Sequence, residues 1–88
     1  AIQEGIRSEI QFFSSELAND LRRLRLQDHL SDADLQMTCD LVVRTVAFSL
    51  TDILAVSPDD TERLNRIRHQ TTQFLRLIFL GADHWVSR

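Results

Sequence analysis

Apolar residues recur every three or four positions along most of this chain, which is the spacing of one face of an α-helix. The pattern predicts an all-α fold of three long helices within one domain over residues 1–88. The first helix should run from about Ile2 to Leu26, with a charged face opposite one narrow apolar stripe. That stripe consists of Ile2, Ile6, Ile10, Phe13, Leu17, Leu21 and Leu24.

The second predicted helix has two separate apolar surfaces. A hinge at 27–30 precedes Ser31, a preferred N-cap residue, and Asp34 follows at the capping-box spacing. The helix should continue to about Ala55, because its length and 3.6-residue period outweigh its β-branched residues. A broad face contains Leu35, Cys39, Val42, Val46, Leu50 and Ile53, and a second stripe contains Met37, Leu41 and Phe48.

The third predicted helix also carries apolar residues on two sides. Its start is predicted by Ser57 as N-cap, Pro58 at the first helical position and Asp60 at the capping-box position. The helix should end near Val86. The core-facing stripe is Leu64, Ile67, Thr71, Leu75, Ile78, Ala82 and Trp85. The other side carries Leu77, Leu80, Gly81 and His84.

Gly81 suggests how the second side of this helix is used. A glycine inside a helix costs roughly 1 kcal/mol relative to alanine, so its presence favours the close approach of another helix. We therefore expect a two-fold homodimer through helices two and three. The expected interface residues are Gln70, Gln73, Leu77, Gly81 and His84, joined by Leu41 and Phe48.

Composition agrees with a small folded domain that gains from a partner. With 88 residues, 43% of them hydrophobic and 26% charged, the chain can build only a thin core on its own. A single cysteine, Cys39, excludes an intrachain disulfide, and no apolar run reaches a membrane span. These features predict a cytoplasmic protein with no membrane partner. The net charge of −3 and the absence of lysine argue against a nucleic-acid-binding surface.

The chemically versatile residues are too dispersed to predict catalysis. His29 lies in the hinge, while His69 and His84 are separated by more than about 20 Å along one helix, so no metal site is expected. The carboxylate pairs Asp32/Asp34 and Asp59/Asp60 occupy first turns, where negative charge complements the helix dipole. We predict that the chain is not an enzyme and holds no cofactor.

Four segments in order resemble three successive helices in the regulatory domain of TetR-family repressors that control unsaturated fatty acid synthesis, the FabR and DesT type. The segments at 8–13 and 16–21, SEIQFF and ELANDL, are similar to the seventh helix of that family. The segment at 40–45, DLVVRT, resembles the eighth helix, and LIFLGADHW at 77–85 resembles the end of the ninth. The loop at 55–60 departs from the family pattern in composition.

The resemblance implies a function and a set of partners. In that family an N-terminal helix-turn-helix domain binds operator DNA, and the last two helices of each subunit form the dimer interface. This chain would then be a C-terminal effector-binding and dimerisation fragment, with DNA contacted only through the missing N-terminal domain. The implied effector is long-chain acyl-CoA. Its acyl chain would lie against Phe13, Leu17, Val42 and Val46, residues that also suit ordinary core packing.

Two other interpretations compete with a repressor fragment. A helical protein–protein interaction module without a small-molecule ligand would show the same two-faced helices. A small helical enzyme subunit would need polar groups that converge on a cleft. A buried apolar cavity in the intact protein distinguishes the repressor from the interaction module.

Overall fold

The chain folds into three α-helices joined by two short connections. The computed structural model describes residues 2–85, with side chains described at residue 5 and from residue 7 onward. The helices are α1 (Ile2–Arg23), α2 (Asp32–Leu54) and α3 (Thr61–Asp83), and no strand occurs among these residues. The predicted all-α fold is confirmed. The side chains of Ile2 and Ile6 lie outside the described residues. Helix α3 ends at Asp83 with His84 as its C-cap, three residues before the predicted end at Val86.

Helix α1 ends three residues before the predicted position, Leu26. The Leu26 N–H donates to the Leu21 carbonyl at 2.8 Å, and the Arg25 N–H donates to the Arg22 carbonyl at 3.1 Å. This pair of bonds is the Schellman motif, which closes a helix by placing one residue in the left-handed region. Arg25 adopts that conformation with φ 57°. Since glycine usually marks this position, the end of α1 carried no obvious sequence signal.

Helix α2 begins at the predicted cap. The Ser31 side chain accepts a hydrogen bond from the Asp34 N–H at 3.2 Å, and the Ser31 carbonyl accepts from the Leu35 N–H at 2.8 Å. The helix ends at Leu54, one residue before the predicted end, and Ala55 is its C-cap. The N-cap prediction succeeded because a serine before an amphipathic run satisfies free N–H groups locally.

The predicted start of α3 at Ser57 and Pro58 is wrong. Asp60 is the N-cap, and its carboxylate accepts from the Arg63 N–H at 3.2 Å. The Ser57 carbonyl instead accepts from the Asp60 N–H at 3.0 Å, which closes a turn over residues 57–60. Proline fits the second position of such a turn as well as the first position of a helix, and the turn is the conformation adopted here.

The three helices form one layer with α2 in the middle. Helices α1 and α3 both pack on α2, and within residues 2–85 they do not pack along each other. The dimensions of 46 × 33 × 21 Å fit three rods of about 10 Å diameter lying side by side. The core lies at one end of the layer, where Leu17, Ala18 and Leu21 pack against the cluster of Leu30, Leu35, Cys39 and Ala82.

The left-handed conformation of Arg25 predicts a stabilising substitution. Arg25→Gly should raise the free energy of unfolding by about 0.5–1 kcal/mol, because glycine relieves the steric cost of positive φ while adding entropy to the unfolded chain. Urea unfolding at fixed protein concentration measures the change. Asp28→Gly is the matched control, since this exposed residue of the same loop has a negative φ and should lose stability. A loss of stability in Arg25→Gly would contradict the argument.

Candidate ligand groove and dimer face

An apolar groove runs between the N-terminal half of α1 and the C-terminal half of α2. Its volume is about 400 Å³. Its walls are aliphatic or aromatic apart from one carboxylate, that of Glu9. The lining residues are Glu9, Ile10, Phe13, Val42, Val43, Val46, Ala47 and Leu50. The groove can therefore accept an apolar chain but offers little to a polar ligand.

The groove begins where the close packing of α1 on α2 ends. Ser14 is completely buried, and its hydroxyl donates to the Ile10 carbonyl at 2.7 Å. A small side chain at this point uses its own helix as hydrogen-bond partner and needs no polar group from α2. The preceding residue, Phe13, remains 57% exposed at the mouth of the groove. Apolar surface thus continues past the end of the core.

Three of the four predicted ligand residues share this groove. Phe13, Val42 and Val46 line it, whereas Leu17 packs against the core cluster at the closed end of the layer. Whether any of them contacts a ligand stays a prediction. The remaining apolar lining residues are Ile10, Val43, Ala47 and Leu50. Ile10 belongs to the predicted stripe of α1 and Leu50 to the predicted broad face of α2, so the helical periodicity already indicated them. Val43 and Ala47 lie at the edge of that broad face.

The seven predicted dimer residues lie on the surface. Gln70, Gln73, Leu77, Gly81 and His84 of α3 are exposed, as are Leu41 and Phe48 of α2. We use "dimer face" for the apolar surface formed by Leu41, Phe48, Phe74, Leu77 and Gly81. Leu77 and Phe48 are 65% and 70% exposed. On α2 the spacing is seven residues, between Leu41 and Phe48. On α3 the spacings are three and four residues, between Phe74, Leu77 and Gly81. Each set therefore lies along one side of its helix.

Phe74 belongs to this surface and was absent from the prediction. It lines a cleft of about 180 Å³ between α2 and α3, together with Phe48 and Gln70. Beneath it, the Thr71 hydroxyl donates to the Ser49 hydroxyl at 2.6 Å and links the two helices. The sequence could have indicated that Phe74 shares this surface, because it lies four residues after Gln70 and three before Leu77 on the same helix.

Gly81 faces open space. A Cβ atom built at this position would meet nothing within 4 Å. No neighbouring group in the described part of this chain therefore requires glycine there. The space that a side chain would fill is available to a second molecule.

The titratable residues are spread over the molecule. The Nε2 atom of His29 lies 2.6 Å from the Ala82 carbonyl, so that nitrogen donates, while His69 and His84 are exposed. Among the described residues no three His, Cys, Asp or Glu side chains come close enough to hold a metal ion. Burial raises the pKa of the Cys39 thiol, and the nearby Asp40 carboxylate raises it further.

Two further tests, for membrane-spanning helices and for similar known proteins, gave negative results. None of the helices in the part of the chain that the structure describes has the length and apolar character needed to cross a bilayer. Comparisons with protein-family models, curated proteins and solved structures found no match to this chain.

The buried thiol predicts a loss of stability at alkaline pH. A folded-state pKa above the ordinary 9.0 stabilises the fold at lower pH, and this stability is lost as pH rises through the folded value. The chain has no lysine or tyrosine, so few other groups titrate in that range. The stability difference between the wild type and Cys39→Ala should therefore shrink above pH 9.0 in urea unfolding. A stability difference that stays constant with pH would contradict a raised pKa for the Cys39 thiol.

Proposed function

We propose that this chain is the regulatory and dimerisation part of a TetR-family transcriptional repressor. It forms a homodimer in the cytoplasm and responds to long-chain acyl-CoA, so that genes of fatty acid synthesis follow the supply of product. Operator DNA is bound by another domain of the same protein. The chain performs no catalysis. The four segments that resemble the FabR and DesT type support the family, and the uncovered apolar surface supports the role.

The single observation that carries the proposal is the large accessible surface. The chain exposes 6956 Å², whereas a folded monomer of 10.2 kDa exposes about 5,300 Å². The excess of about 1,600 Å² is twice what one partner buries in an interface of standard size. Such a deficit of burial is expected of a subunit that completes its core with another molecule.

The dimer face supports a second copy of this chain as one such molecule. A two-fold interface places the same surface opposite itself, so the exposed apolar side chains of the dimer face would pack against their own counterparts. The Asp52 carboxylate, which shares the cleft with Phe48 and Phe74, would have to stay hydrated or find a partner. Gly81 lets two α3 helices approach closely, since nothing occupies the space above its Cα.

The groove between α1 and α2 supports an acyl chain as effector. Its volume of about 400 Å³ lies within the range of small-molecule sites, and its walls are almost wholly apolar. A long hydrocarbon chain gains about 0.8 kcal/mol for each methylene removed from water. Glu9 at the rim repels the phosphates of coenzyme A, so the head group is expected to lie away from that rim.

A helical interaction module without a small ligand is the second candidate. The far side of α3 favours it, because Leu75, Phe79 and Leu80 line a further open groove of about 500 Å³. A protein partner covering that side would need no effector. The two candidates differ in whether the groove between α1 and α2 binds an acyl chain.

The dimer proposal predicts the effect of one charge on α3. Leu77→Glu should weaken dimerisation by about 2 kcal/mol or more, because the carboxylate would be buried in the interface without a partner. Leu80→Glu is the matched control: the sequence pattern grouped Leu80 with Leu77, but Leu80 is 56% exposed and lines the groove on the far side of α3 with Leu75 and Phe79. Sedimentation equilibrium measures both. A wild type that is monomeric at high micromolar concentration, or equal effects of the two variants, would contradict the proposed dimer face.

The ligand proposal predicts that affinity increases with acyl-chain length. In the intact protein, calorimetry with acyl-CoAs of eight to eighteen carbons should show steeply rising affinity until the groove is full, at up to about 0.8 kcal/mol per methylene. Val46→Asp should abolish this dependence. Leu54→Asp is the control, since Leu54 is on the same helix, 86% exposed and outside the groove. A flat response to chain length would exclude this groove and favour the interaction module.

A further inference from the structure

We propose that the connection between α1 and α2, residues 24–31, transmits displacement of α1 from the groove to the C-terminal turn of α3. We call its contacts with α3 the latch. The latch is formed by the side chains of Gln27 and His29 on Ala82 and Asp83. As a route for an acyl-chain signal, the inference rests on the proposed function, although the coupling itself needs no ligand.

Arg22 fixes the connection to the end of α1. Its guanidinium group donates to the Gln27 carbonyl at 3.1 Å and to the Leu30 carbonyl, both in the connection. It also pairs with the carboxylate of Asp32, the first residue of α2, at 3.2 Å. An arginine has donors enough for all three acceptors in one planar group. Any movement of the last turn of α1 therefore moves the connection with it.

Two side chains of the connection then hold the end of α3. The Gln27 amide donates from Nε2 to the Asp83 carboxylate at 2.6 Å, and His29 donates from Nε2 to the Ala82 carbonyl at 2.6 Å. Leu30, from the same connection, is buried in one cluster with Ala82. The end of α3 is thus bound to residues that follow α1 in the chain.

The end of α3 has a further bond that a displacement would strain. The Trp85 indole N–H donates to the Asp34 carboxylate at 3.1 Å, which joins the last described residue to the first turn of α2. If the connection moved while α2 stayed in place, this bond and the latch could not both keep their lengths. The turn at 82–85 is therefore the point where relative movement of α1 and α2 would appear.

Besides the core cluster and α2, which contact both outer helices, the connection is the link between the end of α1 and the end of α3. The two outer helices of the described structure pack on α2 and not along each other. Phe13, in the groove, lies nine residues before Arg22, a distance of about 14 Å along a rigid helix. Widening the groove would therefore tilt α1 as a rigid rod, and the tilt would displace its last turn, which bears the connection. Gly81, beside the latched Ala82, belongs to the dimer face.

A substitution that fills the groove tests the coupling without any ligand. Val46→Phe places an aromatic ring where α1 and α2 diverge, 12 residues of α2 from Asp34, or about 18 Å along the axis. Hydrogen exchange of the segment 82–85 should change by about fivefold or more, the lower end of typical couplings between sites. Thr51→Phe is the control, since Thr51 is exposed on the same helix outside the groove. Val43→Phe serves as a second filler if Val46→Phe fails to fold.

The latch is then removed in the same background. Gln27→Asn suits the left-handed conformation at φ 58° but shortens the amide by one methylene, and His29→Ala removes the imidazole. The double variant should abolish the exchange response to Val46→Phe. Asp28→Ala, between the two latch residues, should leave the response intact.

The outcomes separate this inference from the proposed function. Exchange changes confined to the groove, with none at 82–85, would overturn the coupling, and so would a response that survives the double variant. Palmitoyl-CoA is then added to the intact protein with and without the double variant. Failure of palmitoyl-CoA to bind would count against the proposed effector while the response to Val46→Phe still decides the coupling. Binding without change at 82–85 would overturn the coupling as the route of the signal.

Discussion

Burial of apolar surface at one end of the helical layer is the interaction on which the rest of this structure depends. Leu30, Leu35, Cys39 and Ala82 bring together the α1–α2 connection, the first turns of α2 and the end of α3. Elsewhere α2 has neighbours on two sides only. A layer one helix thick cannot surround its central helix, so burial decreases with distance from the cluster and apolar residues remain exposed.

The unfinished burial explains where the exposed apolar surfaces lie. The dimer face occupies the outer side of α2 and α3, and the groove occupies the space where α1 leaves α2. Both are continuations of helices whose other turns are packed, so each is held by a formed scaffold. A partner that covers either surface stabilises the fold as well as binding to it, because the two processes bury the same kind of area.

The polar contacts contribute geometry more than stability. Surface ion pairs such as Arg66–Glu62, at 3.8 Å, are worth little in water. The hydrogen bonds of Arg22, Gln27 and His29 differ, since they join segments far apart in sequence around the buried cluster. They determine how the ends of α1 and α3 are oriented relative to each other. A bonded connection of this kind makes the outer helices respond together.

The sequence by itself determined the helices and the side of each that faces the core, because periodicity and the Ser31 cap act over a few residues. It did not reveal the end of α1, because the left-handed residue that closes this helix is an arginine and not the usual glycine. It also did not reveal the start of α3, because Ser57 and Pro58 suit a turn as well as the first positions of a helix. Tertiary structure decided which apolar residues are covered: Leu17 packs in the core, whereas Phe13, one turn earlier, stays exposed. It also placed Phe74 beside Phe48 at the cleft between α2 and α3. Burial depends on the divergence of two helices in space, a quantity that no local pattern along one helix contains.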